Sequence, residues 1–209
     1  ERLEYRGYDS AGVALMQDGV LSIYKKKGKV AELSKLVNGL KKDSTTESFS
    51  GGVGMAHTRW ATHGEPSDIN AHPLFSNSKN IAIIHNGIIE NHLSLKKILL
   101  SKGYKFESAT DSEVLVNLIE DVKKNTHVSI DEAVRLALLE VVGAYAIVIL
   151  SKDEPDTVVV AKVGSPVVLG IGEGEYFIAS DATPIVEYTD KVIYLDDGEM
   201  AIIKNGNLA

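Results

Sequence analysis

Two short runs rich in apolar residues, Ala11 to Met16 and Val20 to Tyr24, are separated only by Gln17-Asp18-Gly19. Each is too short for a stable helix, and Asp-Gly favours the tight turns that join antiparallel strands, so the pattern predicts a hairpin. The period then changes. Val30, Leu33, Leu36, Val37 and Leu40 recur every three or four residues, which gathers them on one helical face. Lys41 to Ser50 is polar and rich in Ser and Thr, and reads as a loop. Gly51 to His57 reads as a strand leading into a long irregular stretch, Thr58 to Asn80. Ile81 to Ile84 reads as a buried strand that stops at His85-Asn86-Gly87.

Three helices are predicted next. Asn91 to Lys102 is followed by Gly103, a good helix terminator. Thr110 with Glu113 forms a capping-box signature for a helix running to about Lys123. Ser129 with Glu132 repeats it for a helix ending near Val142, with Gly143 as the stop. From Tyr145 onward the texture is β: Tyr145–Leu150, Thr157–Lys162, Val167–Ile171, Tyr176–Ala179, Val192–Leu195 and Met200–Lys204. No repeat is visible and no linker divides the chain. Strands, then helices, then strands predict one α+β domain over 1–209, with two packed sheets covered by helices.

Composition narrows the function. The net charge is −7 with both signs scattered, which argues against broad contact with nucleic acid. The basic stretch Lys25 to Lys29 has no interleaved aromatic residue and reads as a solvated hairpin end. Ala144 to Leu150 is the longest apolar run, far short of the roughly 20 residues of a membrane-spanning helix, so no membrane partner is expected. There is no cysteine, so neither a disulfide nor a thiolate metal site can form. No signal-peptide pattern is present, and a cytoplasmic location is expected. The chain begins on Glu1-Arg2-Leu3-Glu4-Tyr5 without a methionine, which reads as the tail of a helix and thus as a fragment.

The candidate chemistry is concentrated in the irregular stretch. His57-Thr58-Arg59-Trp60-Ala61-Thr62-His63-Gly64 packs two histidines, an arginine and the single tryptophan into eight residues. Long loops in compact domains are usually functional or disordered, and this one carries too much specific chemistry for disorder. Either it is a surface loop anchored to the core by Trp60, or it is part of a site. His85-Asn86-Gly87 also has two readings. Asn-Gly is a common turn dipeptide, but an Asn amide beside a Gly N–H also supplies the two neutral donors of an oxyanion hole. Thr110-Asp111-Ser112-Glu113 is a helix cap in which Asp111 could also serve a ligand amine. His57 and His63 are six apart, and His85 and His92 seven apart, matching no familiar zinc spacing, so no metal is expected. Gly170-Ile171-Gly172-Glu173-Gly174 lies between predicted strands and reads as a hairpin turn, not a phosphate loop.

Three segments, Arg6-Gly7-Tyr8-Asp9-Ser10-Ala11-Gly12, His57 to Gly64, and His85-Asn86-Gly87-Ile88-Ile89-Glu90-Asn91, resemble the class II glutamine amidotransferases in order and over the whole chain. The resemblance implies a four-layer α/β/β/α sandwich of N-terminal-nucleophile hydrolase type. Tyr8, Ser10 and Trp60-Ala61-Thr62-His63 favour the branch that makes glucosamine 6-phosphate from fructose 6-phosphate. Phosphoribosyl pyrophosphate as acceptor, or a glutamine-sensing or assembly domain without a nucleophile, are the alternatives. By resemblance, Arg59 would hold the α-carboxylate of L-glutamine, with Thr62 and His63 at the same end and Asp111 on the α-ammonium. The Asn86 amide and Gly87 N–H would stabilise the oxyanion, Trp60 would belong to a flap over the substrate, and Arg6 would support the nucleophile's surroundings. The family's nucleophile is an N-terminal cysteine, and no cofactor is implied. The resemblance places that cysteine and the first strand before Glu1, so the chain alone is expected to be inactive, with a gap in its sheet. Sugar-isomerase domains would follow, and the parent would be a homodimer.

Overall fold

The structure, a computed structural model, describes residues 2–43 and 52–209. The Asp18-Gly19 turn forms as expected. Both residues adopt positive φ, at 51° and 74°, and join β1 (Ser10–Gln17) to β2 (Val20–Lys27). On the far edge of β1 runs β3 (Val53–Arg59), which completes a three-stranded antiparallel sheet. Helix α1 (Val30–Asp43) packs on β1 and β2, with Leu33 buried and Leu36 left exposed. It takes in Lys41 to Asp43 from the predicted loop, whose remainder, 44–50, lies outside the described residues. The expected basic hairpin end is instead part of β2. Lys25 Nζ donates to the Ile69 carbonyl at 2.8 Å, and Lys26 pairs with Asp68.

A six-stranded antiparallel sheet forms the second layer, in the order β12 (Asn207–Leu208), β11 (Met200–Lys204), β7 (Glu154–Val163), β6 (Gly143–Ser151), β5 (Ile81–Ile89), β4 (Leu74–Phe75). β5 does not stop at His85-Asn86-Gly87 as the turn propensity of Asn-Gly predicts. β6 pairs with it continuously from Ile81↔Ser151 to Ile89↔Gly143, and that ladder outweighs the local preference. A third sheet, of β8 (Val168–Ile171), β9 (Tyr176–Ala179) and β10 (Val192–Tyr194), contains the predicted 170–174 hairpin turn.

Two apolar layers hold these parts together. Ala14, Met16, Leu21 and Met55 of the first sheet pack with Val148, Leu150, Val160 and Leu169, filling the space between sheets. The other face of the large sheet, through Ile83, Ile147, Ile149 and Val159, carries α2 (His92–Ser101), α3 (Asp111–Thr126) and α4 (Ile130–Leu138). Each fully buried Ile or Leu contributes roughly 1.5–3 kcal/mol. With α1 outside the first sheet, the order is α/β/β/α.

Helix α3 is buried from Asp111 to Asp121 because α2, α4 and β5 surround it. Its polar side chains therefore need internal partners, and they find them in the irregular stretch. Asn117 Oδ1 accepts from Asn77 N at 2.7 Å, and Glu120 Oε2 from Ser78 N at 3.2 Å. Among the described residues, no helix is long and apolar enough to cross a membrane.

Candidate active site

A cavity of about 250 Å³ opens between the layers. Its walls come from the end of β3 with Trp60 and Thr62, from Ile84–Gly87 of β5, from the first turn of α3, and from β9. β3 and β9 each end their sheet, so the cavity is bordered by two strand edges from different sheets.

The structure brings Arg6, Arg59, Trp60, Thr62, Asn86, Gly87 and Asp111 to this one cavity, although the sequence scatters them over more than 100 positions. Asn86 is fixed across the layers: its Oδ1 lies 2.8 Å from His57 Nε2 on β3. Gly87 has φ 131°, and a Cβ there would stand 2.1 Å from the Ala144 carbonyl oxygen, so only glycine fits. Asp111 sits at the N-terminus of α3, where the helix dipole favours a carboxylate. Its Oδ2 accepts from Ile89 N at 2.8 Å, tying α3 to β5, and Oδ1 lies 4.0 Å from His63 Nδ1. His63 does not line the cavity; its ring meets His92 edge-on at 4.9 Å.

Arg59 is only 4% exposed. Nη2 donates to the carbonyls of His63 and Gly64, while Nη1 is buried with no partner among the described residues. Burial lowers its pKa, and Asp9 and Asp111 oppose that fall. Half of the guanidinium thus shapes the loop, and the other half has donors to spare. Trp60 is 65% exposed and does not anchor the loop to the core; it lies near the Tyr8 ring, with centroids 5.9 Å apart. The loop is held instead by Asp9, whose carboxylate accepts from Ala61 N. Arg6 stands 3.7 Å from Asp181, and Tyr5 donates to the same carboxylate at 2.8 Å.

On the cavity wall, three histidine rings from three segments crowd together. His57 and His72 centroids are 4.6 Å apart, and His72 and His85 6.5 Å apart. Burial pushes the His57 pKa down to about 4, lowers His72 well below its ordinary value, and lowers His85 too. All three are therefore neutral near pH 7. His85 Nδ1 bonds Ser112 Oγ at 2.8 Å, a second tie between β5 and α3. Asp9, His72 and Ser112 carried no role in the sequence reading, because the partners that place them here, Ala61, His57 and His85, lie 13 or more positions away. Among the described residues, no three His, Asp or Glu side chains converge as a metal set would require.

Residues 16–205 match the family model of the glutamine amidotransferase domain. The glutamine–fructose-6-phosphate aminotransferase of Bacteroides thetaiotaomicron is 59% identical over 207 residues, which cover 99% of this chain and 33% of the relative. The enzyme of the same name from Chlorobaculum tepidum is 57% identical, with 97% and 32% covered. The chain thus spans about a third of the length of these relatives. Among solved structures, the glutamine phosphoribosylpyrophosphate amidotransferase of B. subtilis superimposes with a TM-score of 0.76 at 28% identity, covering 99% of this chain and 43% of the other.

Proposed function

The chain belongs to the glutamine amidotransferase domain family, and on that premise we propose that its cavity is the glutamine-hydrolysing site of a cytoplasmic glutamine–fructose-6-phosphate aminotransferase. The observation that carries this reading is the Asn86 amide on the cavity wall beside Gly87, in the same cavity as Arg59 and Asp111. Neutral donors at one place and opposite fixed charges at another suit an α-amino acid with a side-chain amide.

In this mechanism, Arg59 Nη1 takes the α-carboxylate of glutamine, and Asp111 takes the α-ammonium. Gripping both charges holds the side-chain amide near the reacting group, which is catalysis by positioning. The 209 residues contain no cysteine, so the nucleophile is assigned to an N-terminal cysteine encoded upstream. β3 and β9 are edge strands among the described residues, and an extended segment carrying it would pair along one of them. Its thiolate adds to the amide carbon, and the oxyanion that forms is met by the Asn86 amide and the Gly87 N–H. The C–N bond then breaks, ammonia leaves with a proton relayed by the cysteine's α-amine, and a thioester remains. Water cleaves the thioester to glutamate and restores the thiol. Thr62 adds a hydrogen bond at the carboxylate end, and Trp60 closes over the substrate.

The acceptor is assigned from the relatives, since its site would lie in the two-thirds of their length that this chain does not span. The full-length protein should release glutamate from glutamine and form glucosamine 6-phosphate when given fructose 6-phosphate. Glutamate release coupled to phosphoribosyl pyrophosphate instead would reassign the acceptor. No glutamate release from the folded full-length protein would remove the hydrolase reading and leave a glutamine-sensing or assembly role. The 209-residue chain alone is expected to release none.

A further inference from the structure

Asn86 can present either face of its amide to the cavity. With Nδ2 inward it offers N–H donors to an oxyanion; with Oδ1 inward it offers a lone pair, which repels one. The two orientations differ by a half-turn about one bond and fill nearly the same volume, so packing does not choose between them. A directional partner is needed.

His57 is that partner, with Nε2 2.8 Å from Asn86 Oδ1. The bond crosses from β3 to β5, joining two different sheets. The imidazole is itself held in place. His57 lies opposite Gly12 in the β1–β3 ladder, and the absence of a side chain at Gly12 lets the His72 backbone approach; a Cβ there would stand 2.2 Å from the His72 carbonyl oxygen. The His72 ring then packs 4.6 Å from His57. His57 Nδ1 is buried and meets no hydrogen-bond partner among the described residues, so Asn86 is the one polar contact seen for the ring.

We propose that His57 is a positioning residue whose Nε2–H, by donating to Asn86 Oδ1, turns the Asn86 Nδ2 donors toward the substrate amide. The proposal rests on the glutaminase reading above. A neutral imidazole carries one proton, and burial keeps His57 neutral far below pH 7. With that proton on Nε2, Oδ1 faces the ring and the donors face the cavity. With the proton on Nδ1, Nε2 accepts, the amide turns over, and the oxyanion site is lost. His57 also lines the cavity, and the role assigned to it runs through Asn86.

The test is steady-state glutamate release by the full-length protein with its N-terminal cysteine. His57→Phe should lower kcat roughly 10–100-fold, part of what removing an oxyanion donor costs, with KM for glutamine within about threefold of wild type. His57→Gln, which can still donate, should recover part of that loss. In an Asn86→Ala background, His57→Phe should cost less than about twofold more, because its route of action is already gone. An equal loss in both backgrounds, or His57→Phe with wild-type kcat, would overturn the proposal. If His57→Phe does not fold, the ¹⁵N shifts of His57 in the wild type decide: Nε2 protonated is expected, and Nδ1 protonated overturns it. A folded wild type that releases no glutamate overturns the glutaminase reading, and the same ¹⁵N shifts still decide the Asn86 orientation separately.

Discussion

At Gly87 the backbone takes φ 131° while the Ala144 carbonyl presses against the position a Cβ would fill. Gly87→Ala meets both a disfavoured conformation and a backbone collision that β6 cannot relieve without breaking its ladder. It should destabilise the protein by about 3 kcal/mol or more, read from urea unfolding; wild-type stability would contradict this placement of β5. Asp9→Ala should act more gently. It frees Ala61 N and the Trp60–Gly64 loop, so KM for glutamine should rise several-fold with kcat less affected, as steady-state kinetics would show. Much of this site was legible in the sequence as residue types: two donors at Asn86-Gly87, a fork at Arg59, an acid at Asp111. The pairings were not. Asp9 with Ala61 and His57 with Asn86 join residues 52 and 29 positions apart, and only the layered fold brings such partners together.

Among the elements, two capping signatures that look alike in sequence behave differently. Thr110 Oγ1 accepts from Glu113 N at 3.3 Å, so half of the first capping box forms. Glu113 does not reach back to Thr110; it accepts from Glu107 N and Ser108 N instead, and pins the loop before α3. Ser129 makes no side-chain cap, and the first free N–H of α4, that of Ile130, is met by Glu154 on β7 at 2.7 Å. Thr110→Ala should therefore cost about 1 kcal/mol and Ser129→Ala only a few tenths, with Glu154→Ala costing more than Ser129→Ala. Thermal unfolding of the three variants checks the order, and equal effects would contradict it. Helix α1 was readable from its apolar period, and α3 and α4 from their capping signatures, because each of these signals is local. The extension of β5 through His85-Asn86-Gly87 was not, since it depends on β6, more than 50 positions later.

Across the whole molecule, the buried histidines join the layers and make stability depend on pH. His57 has its pKa near 4 when folded, against about 6.5 when exposed. The unfolded chain therefore binds protons first, and stability is full above pH 6.5 and is lost as pH falls toward 4. His57 alone should account for roughly 3 kcal/mol over that window, with His72 and His85 acting in the same direction. The urea midpoint should begin to fall above pH 6, before carboxylates titrate; a flat midpoint down to pH 5 would contradict the burial of these rings. The α+β layering could be read from the order of strands and helices. The split into two three-stranded sheets could not, because the edges of β3 and β9 come from segments more than 100 positions apart.

On the proposed function, the Asn86 amide stabilises charge that exists only during reaction, while Arg59 and Asp111 bind the ground state. The direct measurement is kcat for glutamate release beside the dissociation constant of the product glutamate, in full-length wild type and Asn86→Ala. In Asn86→Ala, kcat should fall roughly 10²–10³-fold with glutamate binding unchanged. A variant that loses binding in proportion to kcat, or keeps wild-type kcat, would contradict it.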